Sequence, residues 1–146
     1  MPPVLTAAEL EALVLRLTAV TTRRDGYSRT AAATLSRLAG SGAARLTDLA
    51  VAEGVSQPSM SSLIARLVDQ GLVQRESDPD DARAVRLSLT PGGRALVDER
   101  RAARTRRLDG ALAELPADDI ARIADALPAL TRLADALRRP TKEVSR

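Results

Sequence analysis

At 146 residues the chain has the length of one domain, or of one domain plus helices that must find a partner. It contains no cysteine and no histidine, which excludes disulfides, thiol redox sensing, imidazole metal ligands, Ser-His-Asp triads and cysteine nucleophiles. The formal net charge is +3, and Lys142 is the one lysine among 22 basic residues. That bias suits a phosphate-rich partner, because guanidinium binds phosphate bidentately.

Hydrophobic residues form 45% of the chain, a globular composition, and Tyr27 is the only aromatic residue. Burial must therefore come from Leu, Val, Ile and Ala, and stacking on single-stranded bases is disfavoured. No apolar run approaches the roughly 20 residues of a membrane span, and the N-terminus does not read as a secretion signal. The expected location is cytoplasmic.

Thr6-Ala7-Ala8-Glu9 has the pattern of a capping box. Leu10, Leu13, Val14 and Leu17 follow at helical spacing, which predicts a first helix to about Arg24. Asp25-Gly26 breaks it, Ser28 is placed to cap a second helix, and Ala32, Leu35, Leu38 and Ala39 give that helix an apolar stripe ending at Gly40-Ser41-Gly42. Thr47 is then expected to cap a short helix carrying Leu49 and Ala50. After a turn at Gly54-Val55, Ser56 caps another, with Pro58 in its first turn and Met60, Leu63, Ile64 and Leu67 on one face. Two short helices joined by a glycine-containing turn make a helix-turn-helix.

Gly71 stops that helix, and residues 72–76 and 85–89 are predicted strands, the second alternating apolar and polar. The polar stretch 77–84 between them is too long for a two-residue hairpin. Thr90-Pro91 opens a long, arginine-rich helix that reaches Leu115, before Pro116. The last helix has Asp118 and Asp119 in its first turn and Arg138-Arg139 in its last, both favourable to the helix dipole, and Pro140 closes it. Within it Ile120, Ile123, Leu127, Leu130, Ala134 and Leu137 repeat at spacings of three and four, a seam for another helix, with Pro128 expected to kink it.

The fold class expected is mainly α with a small β-hairpin wing. A winged helix-turn-helix unit at 28–90 is flanked by dimerisation helices at 6–24 and 91–139, with a tail at 140–146. The flanking stripes are hard to bury within so small a domain, so an intertwined homodimer is inferred.

In order along the chain stand Leu46-Thr47-Asp48-Leu49-Ala50, Val55-Ser56-Gln57-Pro58-Ser59-Met60-Ser61 and Leu67-Val68-Asp69-Gln70-Gly71-Leu72-Val73. After them come Asp78-Pro79-Asp80-Asp81-Ala82-Arg83 and Val85-Arg86-Leu87-Ser88-Leu89-Thr90-Pro91-Gly92-Gly93-Arg94-Ala95-Leu96. As an ordered set these strings resemble the MarR family of bacterial regulators over about residues 6–139. The resemblance implies a cytoplasmic, nucleoid-associated dimer that binds pseudo-palindromic double-stranded DNA, usually as a repressor, and releases it when a small molecule binds. The branches that sense peroxide through a reactive cysteine, or metals through His or Cys, do not fit this chain.

With Met60, Ile64 and Leu67 turned inward, Gln57, Pro58, Ser59, Ser61, Ser62 and Arg66 are the candidates for the major groove. Gln pairs bidentately with adenine and Ser tolerates several base edges. Thr47 and Ser56 are read first as caps, with phosphate contact as a second role. The resemblance places Arg83 in the minor groove, where narrow A·T-rich segments concentrate negative potential, and makes Asp81 its orienting partner. The acids of the wing do not make a calcium loop, since a loop counted from Asp78 has Arg83 at its glycine position and Leu89 at its bidentate glutamate position.

Residues 72–90 carry four acids against three arginines, so this segment lacks a strongly basic footprint. Arg100, Arg101, Arg104, Arg106 and Arg107 read as a solvated or dimer-bridging helix face and are left out of the binding set. Tyr27 is a weak candidate for contacting a small-molecule effector, more simply read as a packing residue. No cofactor, metal site or catalytic group is expected, and an enzyme is disfavoured because neither a nucleophile with its base nor a glycine-rich phosphate loop is present. The alternative reading is a helical, dimeric protein-interaction module that does not bind DNA.

Overall fold

The computed structural model describes residues 5–21, 26–79, 81 and 84–138. The order of elements is α1 (Ala7–Thr21), α2 (Arg29–Ser41), β1 (Ala44–Arg45), α3 (Leu46–Glu53), α4 (Gln57–Asp69), β2 (Val73–Ser77), β3 (Val85–Leu89), α5 (Pro91–Ala113) and α6 (Ala117–Arg138). The chain divides into two compact units, Met1–Arg104 and Thr105–Arg146.

The first unit holds the core. Leu35 and Leu38 of α2, Leu49 and Ala50 of α3, Met60, Leu63, Ile64 and Leu67 of α4, Val73 of β2, Leu87 of β3 and Val97 of α5 are buried together. Tyr27 packs against this cluster and is itself only partly buried. An all-aliphatic core gains its stability from many small contacts, so loss of one buried leucine side chain typically costs about 2–5 kcal/mol.

The local signals act much as their chemistry dictates. Thr6 and Glu9 form the reciprocal capping box: the Thr6 amide donates to Glu9 Oε2 at 2.9 Å and the Glu9 amide to Thr6 Oγ1 at 3.3 Å. Helix α1 is described to Thr21, so the expected extension to Arg24 lies outside the described residues. Ser28 caps α2 by accepting from the Ala31 amide at 3.1 Å. Gly54 ends α3 at φ 64°, ψ 33°, the left-handed conformation that glycine adopts without penalty, and its amide reaches the carbonyls of Ala50 and Val51. The chain thereby reverses within a few residues, and Ser56 starts α4 by accepting from the Ser59 amide at 3.3 Å.

In the first unit three expectations need correction. Thr47 is not the cap of α3: the capping position falls on Arg45, which makes no side-chain capping bond, and Thr47 lies inside the first turn. The reason is a strand that sequence reasoning missed, because Ala44 and Arg45 pair with Leu87 and Arg86 of β3 and so fix where the helix starts. The hairpin is accordingly a three-stranded antiparallel sheet of order β1-β3-β2. Finally, β2 spans residues 73–77 rather than 72–76, because the amide of Leu72 is still bonded to the Leu67 carbonyl at the end of α4.

The end of α4 and the start of α5 are tied by a compact knot. Thr90 Oγ1 donates to the Gly71 carbonyl at 2.6 Å and accepts from the Gly93 amide at 3.0 Å, while the Thr90 amide donates to the Leu72 carbonyl at 3.1 Å. Gly93 lies so close to Leu72 that an added Cβ would stand 2.0 Å from that carbonyl oxygen. Only a residue without a side chain fits there.

In the second unit, α5 ends at Ala113 rather than reaching Leu115, because the Glu114 and Leu115 amides bond to the Ala111 and Leu112 carbonyls three residues back and close a turn instead. Helix α6 runs unbroken past Pro128, and Asp118 and Asp119 occupy its first turn as expected. Arg139 and Pro140 lie outside the described residues. Ile120, Ile123, Leu127, Leu130 and Leu137 all remain exposed, as do Leu13, Val14 and Leu17 of α1 in the first unit.

Gly93→Ala should lower stability by about 3 kcal/mol or more, since backbone must move to admit the methyl. Gly92→Ala, whose Cβ meets nothing nearer than 3.5 Å, should be neutral or stabilising by up to about 1 kcal/mol. Thermal midpoints of the two variants against the parent check this, and equal midpoints would show that the close approach is not kept in solution.

Candidate nucleic-acid interface

Helix α4 separates sharply into two faces. Met60, Ile64 and Leu67 are at most 2% exposed and Leu63 is 6% exposed, while Gln57, Pro58, Ser59, Ser61, Ser62 and Arg66 all lie open to solvent. The apolar positions recur every three or four residues, so burying them fixes the rotation of the helix about its axis. Five small or amide-bearing side chains at the N-terminal end are then presented together. Their short reach lets the helix backbone come close to whatever it meets.

Ser56 is exposed at the mouth of this helix, and its hydroxyl donates to Ser59 Oγ at 2.9 Å besides serving as cap. Thr47 is exposed in the first turn of α3. Arg66 is placed differently from the rest, in the last turn of α4, where it lines a cavity of about 100 Å³ with Tyr27, Ser28, Ala31, Leu63 and Gln70 among others. The Arg100 guanidinium stands 5.2 Å from the centre of the Tyr27 ring, a cation–π distance, and Arg100 is partly buried. One member of the arginine run thus has a packing role.

The sheet carries the wing. β2 and β3 pair from Val73↔Leu89 to Ser77↔Val85, and the Asp78 amide donates to the Ala84 carbonyl at 3.0 Å, closing the root of the loop. Arg83, together with Asp80 and Ala82, lies outside the described residues, and Asp81 is exposed with its carbonyl accepting from the Ala84 amide at 2.9 Å. Sequence reasoning missed Arg45 and the special place of Asp78. Arg45 Nε and Nη2 donate to Asp78 Oδ2 at 3.0 and 2.7 Å, and the Asp78 carboxylate is buried. No local signal announces a pair 33 residues apart in sequence.

Across the sheet, Glu76 accepts from the hydroxyl of Ser88 and from Gln74 Nε2 at 2.8 Å. The bond from Ser88, then that from Gln74, then the charge of Arg86 hold its carboxyl below the ordinary glutamate range. Among the described residues, no group of three acids is placed to hold a metal ion, and no helix is long and apolar enough to cross a membrane.

A helix-turn-helix with an exposed polar second helix and an antiparallel wing defines a winged helix-turn-helix module, the class that reads duplex DNA with the second helix. Comparison with known proteins narrows the class. The MarR family model matches residues 27–85. An HTH-type transcriptional regulator of Mycobacterium leprae is 37% identical over 115 residues, covering 77% of this chain and 80% of its own length. The chain belongs to the MarR family of transcriptional regulators, whose members bind DNA. Solved structures agree on the fold. A transcriptional regulator from Thermotoga maritima superposes with a TM-score of 0.74 at 21% identity, covering 88% of this chain and 96% of its own. A mutant of MarR from E. coli superposes with a TM-score of 0.69 at 21% identity, covering 88% and 98%.

Because its donors favour the ionised form, Glu76 stabilises the hairpin fully above the ordinary glutamate pKa of about 4.3 and loses that contribution as pH falls through its depressed value. A carbon-detected pH titration should place its midpoint below that of an unstructured glutamate, and Ser88→Ala should move it upward. A wild-type midpoint at the ordinary value would mean the bond to Ser88 does not persist in solution.

Proposed function

We propose that this regulator acts as a homodimeric, ligand-responsive repressor on a pseudo-palindromic operator. The observation that carries the reading is the two-faced α4, with its inner side locked in the core and Gln57, Ser59, Ser61 and Ser62 grouped on the outer side. These residues and Pro58 meet base edges in the major groove, Thr47 and Ser56 approach phosphates, and Arg83 enters the flanking minor groove with Asp81 orienting it. The dimer follows from the uncovered apolar faces of α1 and α6, which a second copy buries. Two-fold symmetry then spaces the recognition helices one duplex turn apart, about 34–36 Å.

The effector is a small acidic molecule taken up beside Tyr27. The cavity there is well below the roughly 300 Å³ of a drug-sized site, which limits the ligand to a few heavy atoms in this conformation. Arg66 and Gln70 supply the polar contacts. Because Arg66 belongs to α4 as well, a ligand that holds it removes a cation from the DNA-facing helix. No catalytic step is assigned to the protein.

The deciding measurement is binding to the duplex upstream of its own gene against a scrambled duplex of equal length, across a salt series. Preference for the upstream duplex, weakening steeply with salt, is expected. Arg83→Ala should weaken it by roughly 1–3 kcal/mol with the thermal midpoint unchanged. Failure to bind either duplex at low or high salt would favour the protein-interaction module. Solution scattering at micromolar concentration should report a dimer, and a monomer there would overturn the symmetric operator model.

A further inference from the structure

We infer that the Arg45–Asp78 pair sets the direction of the wing, so that these two residues, neither of which need touch DNA, position the loop that does. The inference rests on the reading that the wing contacts DNA, and extends it to the part of the molecule that holds the wing in place.

Asp78 is the first residue after β2, at the root of the loop. Its carboxylate is 4% exposed, and with Thr34 it is one of two buried polar residues among those described. Burying a carboxylate is costly unless it is paired and hydrogen-bonded. Here two nitrogens of one guanidinium converge on a single oxygen. Such a fork fixes direction as well as distance.

Arg45 in turn is anchored. It sits in β1 opposite Arg86 and immediately before α3, where Leu49 and Ala50 are fully packed. Arg86 also reaches back to this segment, its Nη2 donating to the Ala43 carbonyl at 2.6 Å. The guanidinium of Arg45 therefore connects the start of the helix-turn-helix to the root of the wing. The bond to Asp78, its charge, and the charges of Asp81 and Asp48 keep Arg45 more firmly protonated than usual.

Only the carboxylate side of this pair is buried, the Arg45 side chain being 49% exposed, and such a pair adds little net stability compared with an apolar pair of similar size. What it adds is geometry, and the geometry is placed at the one point where the wing leaves the sheet. It also offsets one negative charge at the root of the wing, which bears on the acidic balance of residues 72–90. With Arg45 counted, that segment and its partner are neutral.

Four proteins test the inference: wild type, Asp78→Asn, Arg83→Ala and the double variant, each measured for amide hydrogen exchange and for affinity to the upstream duplex. Asp78→Asn should speed exchange at the backbone amides of position 78 and of Ala84 while Leu38 and Leu67 stay protected. It should weaken binding about tenfold, the scale on which orienting partners act, and should add nothing when Arg83 is already replaced by alanine. Arg45→Lys, which keeps the charge and loses the fork, should fall between wild type and Asp78→Asn. Unchanged wing exchange in Asp78→Asn, a uniform rise across the core, or full additivity with Arg83→Ala would each overturn the positioning role. Should wild type bind no duplex, the DNA reading itself fails, and the exchange data still decide whether the pair holds the wing.

Discussion

Helix α4 can sit in only one rotation about its own axis, and both the core and the outer polar face follow from that. Four apolar side chains seat it in a core without a single phenyl or indole ring. Aliphatic cores interlock through shape, so turning the helix by one residue would bury Ser61 or Ser62 and expose Ile64 or Leu67. Each such exchange forfeits a buried apolar side chain, about 1.5–3 kcal/mol, and buries a hydroxyl without a partner. The polar face is thus held outward by what lies beneath it. Its ends are fixed independently: the Gly54 turn and Ser56 cap define where the helix begins, and the Thr90 knot defines where it hands over to α5.

The electrostatic design of this module is economical. The wing is not basic, and much of its charge is spent internally. Asp78 is held by Arg45, Glu76 is held by Ser88 and Gln74 across the sheet, and Arg86 is bonded to the Ala43 carbonyl. Internal pairing of this kind trades long-range attraction for fixed geometry. Specific recognition gains more from a wing held at one angle than from a diffuse positive patch, which attracts all duplexes alike.

What the sequence disclosed follows from how local each signal is. The Thr6–Glu9 box, the Ser28 and Ser56 caps and the buried stripe of α4 are decided by near neighbours, and all stand where the pattern put them. The α3 cap was misplaced because the start of that helix is decided by pairing with β3, far along the chain, which outweighs the capping preference of Thr47. The same distance hid β1, whose two residues carry no alternation to detect. Asp78 read as one acid among several turn residues, because burial by a distant arginine leaves no local trace. Gly93, in a Pro-Gly-Gly run at a helix start, makes the tightest approach among the glycines, and nothing local in the sequence signals it. The exposed polar face of α4 was legible through periodicity, whereas the pairing of Arg45 with Asp78 was not.

The exposed apolar faces bear on recognition from outside the winged unit. In a stable monomer, stripes such as Leu13, Val14 and Leu17 on α1, or Ile120, Ile123, Leu127 and Leu130 on α6, would pack against something, yet here they face solvent. Exposed apolar stripes of this kind are characteristic of interaction sites. Self-association through such faces by a two-fold axis requires the same residues on both copies, so one sequence serves both sides of the contact. It also makes two recognition helices equivalent, which turns an affinity limited by one short polar face into the product of two half-site contacts. In the proposed dimer, then, the helices outside the winged unit matter to recognition without touching DNA: they set the distance at which two modest readers act as one.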